Sequence, residues 1–236
     1  MPILIRRIAV TAIFLALAGE ACARSSVPAP VATVAPAERF ESEIVAFEDS
    51  DRVNPPAPGG IVFVGSSSIR LWPDIHSYFP GSNVIQRGFG GSRLDEVVYY
   101  APRIVLRYKP KLVVLYAGEN DIAEGRTPQQ VFADFRAFVR HVRTALPNSR
   151  IAFVSIKPSP SRWGLVDKME AANSMIARYI PTQPGLTYVD VFTPMIGADG
   201  RPRPELFVSD SLHMTRQGYD IWRGLLSPIV SSAGAP

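Results

Sequence analysis

Short continuous runs of apolar residues recur along this chain, and they constrain its fold more than any other feature. The runs lie at residues 61–64, 83–86, 112–116, 151–156 and 187–191. Because they are continuous rather than alternating with polar residues, they are typical of strands buried on both faces, as in a parallel sheet. The sequence therefore predicts five buried parallel strands.

Three stretches with apolar residues at helical spacing lie between or after these runs. The first is 131–146, which follows a Thr127-Pro128 pair typical of a helix start. The others are 169–180 and 219–230. Strands that alternate with helices through short connections imply right-handed crossovers. We therefore predict an α/β fold, a three-layer α/β/α sandwich with a central five-stranded parallel sheet, flavodoxin-like in arrangement.

The composition is that of a globular protein and excludes several other classes. Of the 236 residues, 47% are hydrophobic and 19% are charged, unlike a collagen-like, coiled-coil, disordered or polytopic membrane protein. The formal net charge is +4, from 25 Lys and Arg against 21 Asp and Glu. No block of consecutive basic residues is long enough to suggest a nucleic-acid arm, so we expect no nucleic-acid partner.

The N-terminus has the features of an export signal. Arg6 and Arg7 precede an uncharged, mostly apolar run at 8–18, and Ala21-Cys22-Ala23 fits a small-x-small cleavage pattern. The run is well short of the roughly 18 residues that span a bilayer. We therefore expect a cleaved protein, either periplasmic or secreted, with no transmembrane span in the mature chain.

Cleavage after Ala23 divides the chain into a signal peptide at 1–23, an Ala/Pro-rich tether at 24–37 and a folded domain at 38–236. Cys22, the only cysteine, leaves with the signal, so the mature chain has no disulfide and depends on its packed core. The alternative is a lipid anchor on Cys22. Glu20 disfavours the anchor, because a small residue is expected two positions before such a cysteine.

Glycine and polar residues follow the first three predicted strands, at the edge of the sheet where ligands bind in such folds. The segment 65–68, Gly-Ser-Ser-Ser, can cradle a phosphate, present a serine nucleophile or cap a helix. The glycine-rich segment 88–91 predicts a tight turn or a close approach of the backbone to another group. Asn120 can direct its amide into the same crevice or cap the next turn. Each motif is weak alone.

Two residues near the end of the chain, Asp210 and His213, favour a serine nucleophile over the other interpretations of these motifs. The two residues are three positions apart, so the carboxylate can accept a hydrogen bond from one imidazole nitrogen while the other nitrogen takes a proton from a serine. Of the other histidines, His141 lies on the solvated face of a predicted helix and His76 in an irregular stretch. His213 is therefore the candidate general base.

The order of these motifs resembles the SGNH (GDSL-type) hydrolase family. Gly-x-Ser, a glycine-rich turn, Gly-x-Asn-Asp and Asp-x-x-His follow one another, and the similarity spans about residues 61–230. The resemblance implies that Ser67 is the nucleophile, His213 the general base and Asp210 its orienting partner.

The resemblance also implies an oxyanion hole made by the N–H groups of Ser67 and Gly91 and the side-chain amide of Asn120. One position departs from the family pattern, since Ser66 stands where the family usually has Asp. This departure leaves the nucleophile in place, but Ser66 and Ser68 are competing candidates for the reactive hydroxyl.

The implied function is that of an exported serine esterase that hydrolyses short-chain acyl or acetyl esters, including those of carbohydrates, through an acyl-enzyme on Ser67. No cofactor is implied, and the sequence has no metal-ligand motif such as His-Glu-x-x-His. Arg162 and Trp163, after the fourth predicted strand, are candidate substrate-binding residues. A proline-stiffened loop with a packing tryptophan explains them equally well.

Other functions remain open at this point. One is a lysophospholipase or thioesterase-type acyl hydrolase, and another is a non-catalytic envelope glycan-binding module on the same fold. A phosphate-binding module that uses 65–68 is a third, although it leaves Asn120 and the Asp210/His213 pair unexplained.

Overall fold

The computed structural model describes residues 39–234, and its centre is a sheet of five parallel strands. The strands are β1 (Ile61–Gly65), β2 (Val84–Gly88), β3 (Leu112–Tyr116), β4 (Arg150–Val154) and β5 (Leu186–Val189). Their order across the sheet is β2-β1-β3-β4-β5, and every neighbouring pair is parallel. The five predicted strands are confirmed.

Eight α-helices flank the sheet within the described residues. They are α1 (Glu41–Val53), α2 (Ser67–Arg70), α3 (Ile75–Tyr78), α4 (Leu94–Ile104), α5 (Glu119–Ala123), α6 (Pro128–Ala145), α7 (Val166–Tyr179) and α8 (Arg216–Gly234). The last three confirm the three helical patterns. The start of α6 is also as predicted, because Thr127 and Gln130 exchange side-chain to backbone hydrogen bonds across its first turn.

Alternate strand residues point to opposite faces of the sheet, and helices cover both faces. On one face, Val62 and Val64 pack in a core with residues of α1, α4, α6 and α7. On the other, Ile61 and Phe63 pack with residues of α2, α3 and α8. The predicted three-layer sandwich is therefore confirmed, and burial on both faces explains why the strands have continuous apolar runs.

Two predicted strands extend past the ends of the observed ones. β4 ends at Val154 although Ile156 is also completely buried, and β5 ends at Val189 although Val191 is completely buried. An apolar run reports burial rather than strand pairing. Here it continues into the connections that pack at the carboxyl edge of the sheet.

The sequence patterns do not predict α1 or α4. Of the thirteen residues of α1, only Ile44 and Asp51 are buried, so no apolar stripe marks this helix. In α4, Pro102 lies inside the helix, a position where proline usually indicates a break.

The predicted signal peptide (1–23) and tether (24–37) lie outside the described residues. All the described elements fall within the predicted domain, 38–236. Among the helices of residues 39–234, none combines the length and the apolar character needed to cross a membrane.

Candidate active site

The chain turns sharply at the end of β1 and brings Ser67 to the start of α2. Gly65 has φ +137°, and a Cβ there would lie 1.7 Å from the carbonyl oxygen of Tyr116 on β3, so only glycine fits. The next residue, Ser66, donates its backbone N–H to the same carbonyl at 3.0 Å. The close approach of this turn to β3 places Ser67 at the first position of α2.

Only one of the three consecutive serines faces a histidine. The side-chain oxygen of Ser67 lies 3.0 Å from Nε2 of His213. Ser66 and Ser68 are both buried, at 3% and 2% exposure, whereas Ser67 is half-buried. The structure thus favours Ser67 over its two neighbours as the candidate nucleophile.

Asp210 and His213 lie on one tight loop between β5 and α8. Nδ1 of His213 is 2.5 Å from Oδ2 of Asp210. The other oxygen, Oδ1, accepts hydrogen bonds from the backbone N–H groups of Leu212 and His213 at 2.8 and 2.9 Å. The carboxylate is therefore held in place by its own loop while it orients the imidazole.

The loop that carries the pair is closed at its base and strained at its tip. Phe207 and Met214 form an antiparallel bridge, and Val208 N–H donates to His213 O at 2.9 Å. At the tip, Ser211 has φ +57°, a left-handed conformation that non-glycine residues rarely adopt. Its carbonyl accepts a hydrogen bond from Ser161 N–H at 3.0 Å, which joins the loop to the segment after β4.

Hydrogen bonding keeps the Asp210 carboxyl ionised. Its partial burial alone would raise its pKa, but the hydrogen bonds from the His213 ring and from the backbone of His213 and Leu212 outweigh this and lower the pKa to about 2. Asp210 is thus a fixed negative charge at neutral pH. Such a charge stabilises an imidazolium and selects the tautomer that leaves Nε2 free to accept a proton.

The three predicted oxyanion donors follow three neighbouring strands. Ser67 follows β1, Gly91 follows β2 and Asn120 follows β3. Gly91 has φ +76° and faces open space, because a Cβ at this position would meet nothing within 4 Å. Within residues 39–234, neither its N–H nor that of Ser67 has a hydrogen-bond acceptor. Both backbone donors are free for a ligand.

Asn120 has its side-chain amide partly engaged. Its Nδ2 donates to the carbonyl of Ser92 at 3.0 Å, which orients the amide and leaves the second N–H of the group for another acceptor. The next residue, Asp121, is completely buried and accepts from Leu94 N–H at 3.1 Å, at the start of α4. Burial raises the pKa of Asp121 to about 7. Both side chains tie α5 to the turn after β2.

The residue before Asn120, Glu119, forms a buried ion pair with Lys157 that the sequence patterns do not reveal. Glu119 accepts from Lys157 Nζ at 2.6 Å, from Ser159 Oγ at 2.6 Å and from Tyr116 OH at 2.8 Å. Burial alone would raise the pKa of Glu119, but the charges of Lys157 and Arg162 lower it, which favours the carboxylate form, while burial lowers the pKa of Lys157. The one signal in the sequence is a lysine directly after the apolar run 151–156.

The structure places Arg162 and Trp163 in a 3₁₀ segment, Pro160–Leu165, at the same edge of the sheet as the Asp210 loop. Arg162 Nη1 lies 3.8 Å from Oε1 of Glu119, so its charge is engaged with the protein. Trp163 is half-buried, with the guanidinium of Arg201 5.7 Å from its ring centroid. A substrate role for Arg162 and Trp163 remains a prediction.

Metal-binding clusters are not found in the part of the chain that the structure describes. Within residues 39–234, no three His, Cys, Asp or Glu side chains come together in a way that could hold an ion. His76 and His141 are both exposed.

Many solved structures share this fold, and three of them show the extent of the similarity to this chain. A candidate platelet activating factor from Streptococcus pneumonia aligns with a TM-score of 0.73 at 18% identity, over 82% of this chain and 93% of its own. A GDSL-like lipase from Bacteroides thetaiotaomicron aligns with 0.69 at 22% identity, over 81% and 98%. A catalytic mutant of an acetylxylan esterase from Geobacillus stearothermophilus aligns with 0.59 at 12% identity, over 74% and 95%.

Comparison of sequences gives the family. No curated protein matches this chain. A family model described as the GDSL-like lipase/acylhydrolase family matches residues 63–221, about two thirds of the chain. The match includes the turn at Ser67, the glycine-rich turn, Asn120 and the Asp210/His213 loop. The chain therefore belongs to the GDSL-like lipase/acylhydrolase family and is a hydrolase of ester bonds.

Proposed function

We propose that this chain is an exported serine esterase that removes short acyl groups, acetyl above all, from esters that include acylated carbohydrates. The observation that carries the proposal is the continuous line of contacts from Ser67 Oγ through the His213 ring to Asp210, at 3.0 and 2.5 Å. Such a line makes a serine nucleophilic at neutral pH.

In the first half of the proposed reaction, Ser67 Oγ attacks the ester carbonyl carbon. Nε2 of His213 takes the hydroxyl proton as the new C–O bond forms, and the carbonyl π electrons move onto the oxygen. The resulting imidazolium is stabilised by Asp210, which its low pKa keeps ionised. His213 then passes the proton to the leaving alcohol as the ester C–O bond breaks, which leaves an acyl group on Ser67.

The negative oxygen of the tetrahedral intermediate needs donors that are already in place. The free N–H groups of Ser67 and Gly91 and the second amide N–H of Asn120 are the proposed donors. Loss of one such donor typically costs on the order of 3 kcal/mol in the barrier. In the second half, His213 removes a proton from water as the water oxygen attacks the acyl carbon. His213 then returns this proton to Ser67 Oγ as the bond between the acyl carbon and Oγ breaks, which releases the acid and restores the free enzyme.

Exposure of the site supports a short acyl group. The side chains of His213 and Asp210 are 26% and 46% exposed, and nearby Val208 is 42% exposed. Each methylene of an acyl chain adds about 0.8 kcal/mol of binding only where it is buried. An open site of this kind therefore has little to gain from a long chain. The similarity to an acetylxylan esterase also supports this substrate class.

Export is supported by the sequence of residues 1–23, with its basic start, apolar run and cleavage pattern. Mass spectrometry of the mature protein from its native host tests it. A mature chain that begins at Arg24 is the expected result. A lipid-modified Cys22 at the N-terminus would identify an anchored form instead.

The decisive experiment measures hydrolysis of p-nitrophenyl esters, from acetate to dodecanoate, by residues 24–236. Ser67→Ala is expected to abolish turnover, whereas the matched control Ser68→Ala, next to it but buried, is expected to retain it. Retention of more than about a tenth of the activity by Ser67→Ala would overturn the nucleophile assignment.

Chain-length preference separates the proposal from its alternatives. A fall in kcat/KM beyond butyrate is expected. Preference for long chains would favour a lysophospholipase or thioesterase-type acyl hydrolase. Binding of an acylated glycan by both the unaltered protein and Ser67→Ala, with turnover by neither, would favour a glycan-binding module.

A further inference from the structure

The turn that carries Gly91 is held from outside by residues next to and within α1. Arg39 Nη2 donates a hydrogen bond to the carbonyl oxygen of Gly91 at 3.1 Å. Glu43 Oε2 accepts one from the N–H of Gly90 at 3.3 Å. We call Arg39 and Glu43 the N-terminal clasp. Both lie outside residues 63–221, the part of the chain that matches the family model.

The two clasp contacts flank the peptide group that presents the Gly91 N–H. Glu43 holds the N–H of the preceding peptide group, and Arg39 holds the carbonyl of the following one. The orientation of the peptide group that joins Gly90 to Gly91 is therefore restrained at both of its ends. Two consecutive glycines provide little resistance of their own to rotation of this plane, and holding them costs more conformational entropy than for any other residue pair. The restraint must come from neighbouring side chains.

The clasp is itself anchored in the protein. Oε1 of Glu96, which is 1% exposed, lies 2.8 Å from Arg39 Nε, and Oε2 lies 3.0 Å from Nη2. This two-point contact fixes the plane of the guanidinium. Phe40, between the two clasp residues, packs edge to face against Phe89 with ring centroids 5.0 Å apart. Arg39 therefore reaches Gly91 from a fixed position.

We propose that Arg39 and Glu43 are positioning residues for the oxyanion hole, which hold the Gly90–Gly91 peptide so that the Gly91 N–H faces the oxygen of the tetrahedral intermediate. The inference rests on the proposed function, since an oxyanion hole acts only in ester hydrolysis. Donors held in place before the reaction stabilise the developing charge most strongly. Displacement of a reacting group by about 1 Å can cost on the order of a hundredfold in rate.

Arg39→Met and Glu43→Ala test the clasp, with Glu48→Ala as the matched control. Glu48 lies on the same helix but pairs with Arg103 of α4 at 2.7 Å, so its loss loosens α1 without removing a contact to the glycines. We expect both clasp variants to lower kcat for p-nitrophenyl acetate about tenfold or more, with KM changed less than about twofold.

Two further measurements separate positioning from a purely structural role. Affinity for a boronic acid that forms a tetrahedral adduct on serine is expected to fall in the clasp variants by the same factor as kcat. Glu43→Gln keeps an acceptor oxygen for the Gly90 N–H and is expected to retain most of the activity. Glu48→Ala is expected to keep kcat within about twofold of the unaltered protein.

The inference is overturned if both clasp variants keep the kcat of the unaltered protein, or if Glu48→Ala lowers kcat as much as they do. A readout that needs no activity is the NMR signal of the Gly91 amide. It is expected to shift, and its hydrogen exchange to accelerate, in Glu43→Ala but not in Glu48→Ala; an unchanged signal also overturns the inference. Failure of the proposed function is a separate result, in which the unaltered protein shows no turnover that depends on Ser67.

Discussion

Replacement of Lys157 by methionine is expected to lower the free energy of unfolding by about 3 kcal/mol. Lys157 is completely buried, and its Nζ lies 2.6 Å from the carboxylate of Glu119, which is 4% exposed. Removal of one partner of a buried pair costs about 3–5 kcal/mol, because it leaves an uncompensated charge. The lower end applies here because Ser159 and Arg162 also contact this carboxylate.

The matched control is the double variant Glu119→Gln with Lys157→Met. It has no buried charge at either position, so it is expected to recover most of the lost stability. Urea unfolding followed by tryptophan fluorescence measures both. A loss below about 1 kcal/mol in the single variant, or a double variant as unstable as the single one, would refute the reasoning.

The pH dependence of the single variant provides a second check. Without Lys157, we expect the burial of Glu119 to outweigh its remaining contacts with Arg162 and Ser159 and to raise its pKa in the folded state above the unfolded value. Stability is then complete below the unfolded pKa and is lost as pH rises through the folded one. The loss in free energy of unfolding that Lys157→Met causes, relative to the unaltered protein, is therefore expected to be smaller at about pH 5 than at about pH 8. A deficit that does not change with pH would contradict an unpaired carboxylate as its cause.

Two other side chains give testable expectations. Asp210→Asn is expected to lower kcat by about three orders of magnitude or more with an unchanged circular dichroism spectrum, because asparagine favours the wrong tautomer of His213; an altered spectrum would indicate a structural role. At Asp121, burial raises the pKa to about 7, so its contribution to stability is complete below about pH 4 and is lost as pH rises through 7. Between about pH 4 and pH 7, this carboxyl is expected to make the free energy of unfolding fall by up to about 1.4 kcal/mol per pH unit, and Asp121→Asn is expected to remove that dependence. Urea unfolding at several pH values measures it, and an unchanged dependence would contradict the raised pKa.

Features that depend on neighbours in the chain are the ones that the sequence predicts well. The run 112–116 coincides with β3 because every residue of this strand is buried, so periodicity and burial carry the same information. Asp210 and His213 could be paired in advance, because a three-residue separation limits the distance between them. The cap of α6 at Thr127 is local in the same way.

Choices among equivalent residues required the folded chain. Ser66, Ser67 and Ser68 have the same chemistry, and only the turn at Gly65 decides which hydroxyl faces His213, 146 residues further along the chain. Helix α1 gives too weak an apolar pattern to be predicted, since its position depends on contacts with α4 and with the glycine turn.

The sequence by itself predicted the five-stranded α/β sandwich, because periodicity and turn residues are properties of neighbouring positions, and the resemblance in motif order implied the candidate triad of Ser67, Asp210 and His213. Tertiary structure alone decided which side chains support that triad. Glu119 meets Lys157 across 38 residues, and Arg39 meets Gly91 across 52. Such contacts depend on the order of strands in the sheet and on which helix ends meet at its carboxyl edge, and no local pattern encodes these.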